Sequence, residues 1–171
     1  MVTLGTILYA FFEQHLKAEK GLSPASIRSY RDALRLFIIF VARQSRRKIT
    51  RLGLADLTAE RVRQFLNHLE IERGNRICTR NQRLAVLHTF FDYVAAQVPE
   101  SFVEAERVAG IPTKRAAPPP THFLERDQVE TLFAGLPAEG RLVLRDRALL
   151  LFLYNTGARV QEVADLRVAN L

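Results

Sequence analysis

Apolar residues recur along the first hundred positions at intervals of three and four, the spacing that lines up one face of an α-helix. Leu4, Ile7, Leu8, Phe11, Phe12 and Leu16 form the first such stripe, which predicts an amphipathic helix ending at Gly21. Ser23-Pro24 then reads as an N-cap followed by proline at the first helical position. The helix it opens has Ile27, Tyr30, Leu34, Phe37, Ile38 and Val41 on its inner face and Arg28, Arg31 and Arg35 on the other. Past a polar, basic loop from Gln44 to Lys48, Thr58 is placed to cap a third helix with Val62, Phe65, Leu66 and Leu69 inward and Gly74 as its stop. Thr79 is the next candidate cap, for a fourth helix striped by Leu84, Leu87, Phe90, Phe91 and Val94, and Glu100 to Val108 predicts a short fifth. Strand signal is almost absent. The fold class expected is mainly α, a four- to five-helix bundle.

Four prolines between Ile111 and Pro120 forbid helix and favour an extended backbone, so this stretch reads as a linker. The expected organisation is a helical domain over 1–110, a Pro-rich linker over 111–122, and a further segment over 123–171. In that last segment Phe123 to Phe133 and Arg141 to Tyr154 read as helices, and Gly157 as the turn into another.

Charge sharpens the division. Residues 1–117 carry 19 Lys and Arg against 11 Asp and Glu, a net +8, while 118–171 carry 6 against 7, a net −1, so the basicity belongs to the first part. A polyanion is the natural partner for such an excess, because each phosphate neutralised releases condensed counterions. No run reaches the roughly 18 to 20 apolar residues of a membrane span, and the first residues lack the basic start of a secretory signal. The cytoplasm is therefore the expected location, with no membrane partner. Cys78 is the sole cysteine, which excludes an intrachain disulfide and a thiolate metal cluster; a half-buried thiol is expected. His15, His68, His88 and His122 are scattered, and Tyr9, Tyr30, Tyr93 and Tyr154 fall at helical apolar spacing, so no nucleophilic or metal-ligating constellation is visible.

The candidate chemistry lies near the end, in Arg145-Asp-Arg-Ala-Leu-Leu and in the Gly157-Ala-Arg159 turn with Glu162 three residues on. Together with Gly21-Leu-Ser-Pro-Ala-Ser-Ile-Arg-Ser-Tyr, Cys78-Thr-Arg-Asn-Gln-Arg-Leu, Ile111-Pro-Thr-Lys-Arg115 and Phe123-Leu-Glu, this order of signals resembles the tyrosine recombinases, the phage integrase and Xer type. The resemblance implies a SAM-like core-binding domain followed by the opening of a catalytic domain, with double-stranded DNA as partner and other recombinase subunits on paired sites. It implies that Arg159 is the first of two arginines stabilising a phosphorane-like transition state, with Glu162 bracing it, and that neither a metal nor another cofactor is required. Arg28, Arg31, Arg35, Lys48, Thr79, Arg80, Arg83, Lys114 and Arg115 are the candidate DNA contacts, Thr79 and Arg80 at a helix N-terminus where free N–H groups favour a phosphate. The family's lysine, His-X-X-Arg segment and nucleophilic tyrosine have no counterpart in these residues, so binding without strand cleavage is the expectation for the chain alone. Two other readings stay open: a non-catalytic DNA-binding or regulatory module from a mobile element, and a helical interaction domain with an incidental basic surface. Leu142 to Leu144 and Leu149 to Leu153 are expected to lack packing partners, which leaves the C-terminal third loose.

Overall fold

The computed structural model describes residues 3–118, 123–137, 140, 142–167 and 169, and divides into two units, Met1–Ala117 and Pro118–Leu171. Helix α1, Leu4–Ala10, is capped by the Thr3 hydroxyl and runs directly into a wide-turned π-helical stretch, Phe11–Glu19. Bonds five residues apart bring Phe11 and Leu16 onto one inner face, and both are fully buried. Gly21, at φ 58°, turns the chain so that the Leu22 N–H returns to the Leu16 carbonyl.

Helix α2, Pro24–Gln44, opens as its sequence predicts, with the Ser23 hydroxyl accepting from the Ser26 N–H and Pro24 at the first position. Short 3₁₀ turns at Ile49–Arg51 and Leu54–Asp56 lead to α3, Ala59–Ile71, whose first turn is capped twice. Thr58 Oγ1 accepts from the Arg61 N–H at 3.3 Å, and Glu104 Oε2 accepts from the Ala59 N–H at 2.8 Å. Glu104 belongs to α5, Phe102–Ala109, so one carboxylate stitches the end of the bundle to its middle. Helix α4 runs Ile77–Gln97. Its cap position is Arg76, three residues before Thr79, so Thr79 lies inside the first turn instead of capping it.

Phe11, Phe37, Phe65 and Phe90 fill the centre of this unit, with Phe11 meeting Phe90 edge-on at 5.2 Å and Phe37 meeting Phe65 at 5.4 Å. Tyr9, expected in the apolar stripe, points outward at 67% exposure, and Cys78 is exposed where a half-buried thiol was expected.

The second unit contains α6, Arg126–Ala134, α7, Val143–Thr156, and α8, Val160–Ala164. Helix α6 begins three residues after Phe123, because Gln128 reaches back to the Glu125 N–H and sets the cap there. Arg141 and His122 lie outside the described residues. Gly157, at φ 64°, ends α7 in the left-handed conformation. There is no strand among the described residues, and no described helix is long and apolar enough to cross a membrane.

Candidate nucleic-acid interface

Three exposed arginines, Arg28, Arg31 and Arg35, follow one another at helical spacing on the outer face of α2. Arg43 continues the same stripe, and Arg46, Arg47 and Lys48 prolong it into the turn, all exposed. Arg46 occupies the left-handed region at φ 51°, which reverses the chain so that these charges fan out beyond the helix end. Arg47 is partly engaged, its guanidinium 3.3 Å from Asp56 Oδ1. Arg31 sits 3.8 Å from Asp32, an exposed and weak pairing that leaves its charge available.

The start of α4 lies against the start of α2. Gln82 donates to the Ser29 hydroxyl at 3.1 Å, and the Arg83 guanidinium donates to the Ser29 carbonyl at 3.3 Å. Arg83 is therefore half-buried and ties the two helices together, which removes it from the exposed set. Arg80 goes further inward: only 6% exposed, it donates to the Pro112 carbonyl and to Asn81 Oδ1, each at 3.0 Å, and lies 3.4 Å from Glu70. These contacts hold Arg80 inside the bundle and Arg83 half-buried, apart from the exposed arginines of α2. Both precede the apolar residues of α4 at helical intervals, Arg80 before Leu84 and Leu87, Arg83 before Leu87, Phe90 and Val94, so the stripe itself held the signal for burial. Lys114, a candidate contact, pairs with Glu70 at 2.8 Å, whereas Arg115 is exposed. Arg43, Arg73 and Arg76 are further exposed basic residues, for which no motif of the sequence signals a contact.

Arg159 stands at the cap position of α8 and is 85% exposed. Glu162 accepts both its backbone N–H, at 2.8 Å, and its guanidinium, at 2.9 Å. The backbone bond first and the guanidinium second hold the Glu162 carboxyl below the usual carboxylate range. This double grip fixes the backbone of Arg159 and leaves the outer edge of the guanidinium fork open, the geometry that suits a second, anionic partner.

A cleft of the first unit, about 650 Å³, is lined mainly by apolar residues together with Glu100 and Glu104, whose charge repels a polyanion. Among the described residues no three His, Cys, Asp or Glu side chains converge as metal ligands.

Comparison with known proteins fits this picture. Residues 10–97 match the family described as phage integrase, N-terminal SAM-like domain. The integrase/recombinase y4rD of Sinorhizobium fredii is 41% identical over 168 residues, covering 98% of this chain and 60% of its own length. The tyrosine recombinase XerC of Oceanobacillus iheyensis is 30% identical, with 94% of this chain and 50% of its own covered, and the XerD of Mycobacterium tuberculosis is 30% identical, with 97% and 54%. The chain thus belongs to the tyrosine recombinase, or phage integrase, family, and it spans between half and three fifths of these relatives.

Proposed function

We propose that residues 1–171 bind double-stranded DNA as the N-terminal portion of a site-specific recombinase acting in DNA integration or recombination. The observation that carries this reading is the row of exposed arginines on α2, Arg28, Arg31, Arg35 and Arg43, running into Arg46, Arg47 and Lys48 inside the family-matched span. Such a row follows a phosphate backbone, and the guanidinium fork can grip phosphate or guanine in two places at once. Arg115 adds charge from the Pro-rich segment. Arg159, braced by Glu162, is proposed as a clamp on the phosphate at which a strand would be cut, stabilising the negative charge that gathers on its non-bridging oxygens. Other recombinase subunits on paired sites are the proposed protein partners, and the cytoplasm is the proposed address.

The test is binding of a fluorescent duplex across a salt series. The logarithm of the association constant should fall linearly with the logarithm of salt, by about 0.9 per phosphate neutralised. The combined variant R28A/R31A/R35A should bind more weakly and with a slope shallower by about 2 to 3. A salt-independent affinity, or a slope that the triple variant leaves unchanged, would refute the reading.

A further inference from the structure

Arg80 is the one charged residue buried in the helical unit among the described residues, and one of its contacts reaches the path of the chain after α5. It reaches from α4 to the Pro112 carbonyl across 32 positions of sequence. Its neighbour Asn81 grips Lys114 by both backbone groups: the Asn81 amide donates to the Lys114 carbonyl at 2.7 Å, and the Lys114 N–H donates to Asn81 Oδ1 at 3.1 Å. Glu70, on α3, accepts from the Lys114 ammonium at 2.8 Å and balances Arg80 from the other side at 3.4 Å. Ile111 is buried between these points. Three polar side chains from two helices therefore converge on four residues of a Pro-rich segment whose own sequence offers no helix or strand to hold it.

We propose that Glu70, Arg80 and Asn81 form a latch that fastens Ile111 to Lys114 onto the bundle and so presents Arg115 to DNA from a fixed position. The second half of this proposal rests on the DNA-binding reading; the first half stands without it. Two backbone groups of Lys114 are satisfied by one amide side chain, an arrangement that imitates a strand pairing and fixes both the direction and the register of the segment. A buried arginine is costly to desolvate and is held here by a carboxylate, a side-chain carbonyl and a backbone carbonyl, so releasing the segment would leave it short of partners. That penalty makes docking of the segment cooperative with the packing of α3 and α4. Fixed in this way, Arg115 meets DNA without the ordering cost that a loose linker would carry.

Limited trypsin digestion of the whole chain reads the latch directly. Cleavage after Lys114 requires that segment to open, whereas cleavage after Arg61, inside α3, requires the bundle to unfold. Asn81→Ala should raise the rate after Lys114 by about tenfold, the effect of losing two hydrogen bonds on the open population, with the rate after Arg61 unchanged. Equal rates after Lys114 in the two proteins would overturn the latch. If Asn81→Ala also exposes Arg61, Glu70→Gln becomes the judge, since it keeps the Asn81 grip and should still raise Lys114 cleavage severalfold. In a duplex-binding assay Asn81→Ala should weaken affinity severalfold, but not when Arg115 is already alanine. Equal weakening in both backgrounds would overturn the presentation of this charge. The digest contains no DNA, so a failure of the DNA-binding reading leaves its result standing.

Discussion

Single side chains set both the stability of the helical unit and its sensitivity to acid. Phe65 is almost wholly buried between Phe37 and Phe40, with ring centres at 5.4 and 5.6 Å. Phe65→Ala should lower the unfolding free energy by about 3 to 5 kcal/mol in urea denaturation, because the rings around it cannot close the gap. Glu104 acts through polarity instead. The Ala59 N–H first, and Arg107 after it, hold its carboxyl below the usual range against the opposing pull of burial. Its ionised form therefore stabilises the fold fully above the ordinary carboxylate range, and the contribution fades as pH falls through that range to the depressed value. Glu104→Ala should cost about 1 kcal/mol at neutral pH, as for a lost helix cap, and the gap to the parent protein should narrow on acidification. A gap that stays constant from neutral to acid pH would contradict this role. At this scale the sequence was legible where an apolar residue recurred, as at Phe65, and misleading where a charged residue shared the stripe. The place of Arg80 near a helix N-terminus points to a phosphate contact, yet its spacing to Leu84 and Leu87 already puts it on the inward stripe. Glu104 could not be foreseen as a cap for α3, since the bond spans 45 positions and no local pattern encodes it.

Helices and their ends were the most legible level. Ser23-Pro24 and Thr58 mark starts that the structure uses, because a hydroxyl at the cap answers a free N–H within three residues and needs no distant partner. Gly74, at φ 61°, turns the chain between α3 and α4, with open space where a side chain would project. Gly74→Ala should therefore cost about 1 kcal/mol from backbone strain alone, and Gly74→Asn clearly less, since asparagine tolerates the left-handed region. Equal losses for the two variants in thermal unfolding would show that the side chain collides with something after all. The π-helical stretch Phe11–Glu19 escaped notice because Leu4, Ile7 and Phe11 fit an ordinary helix, and only the five-residue step from Phe11 to Leu16 departs from it. The start of α4 was misplaced for a related reason: Thr79 has the chemistry of a cap, but Arg76 already holds the extended conformation that a cap requires.

Each unit, taken by itself, buries a very different share of its apolar surface, and this decides how firmly it is held. The helical unit encloses a continuous core from Leu4 to Ile111. In the other unit Val129 is the one buried side chain among the described residues, while Leu144 is 84% exposed, Phe123 71% and Val160 75%. Helices as short as α6, α7 and α8 are marginal in water unless an apolar face is covered. The stretch Leu142 to Leu153 was expected to lack partners, and the exposure of Leu142, Leu144, Leu149, Leu151 and Phe152 agrees with that expectation. Amide hydrogens of α2, α3 and α4 should then exchange only through opening of the whole bundle, and those of α6 and α7 through local fraying. Mass-resolved exchange of the chain without DNA should give protection on the order of a hundredfold or more greater over 24–97 than over 126–156. Equal protection in α4 and α7 would mean that the exposed face of α7 is covered in solution, and would overturn the assignment of stability to the helical unit alone.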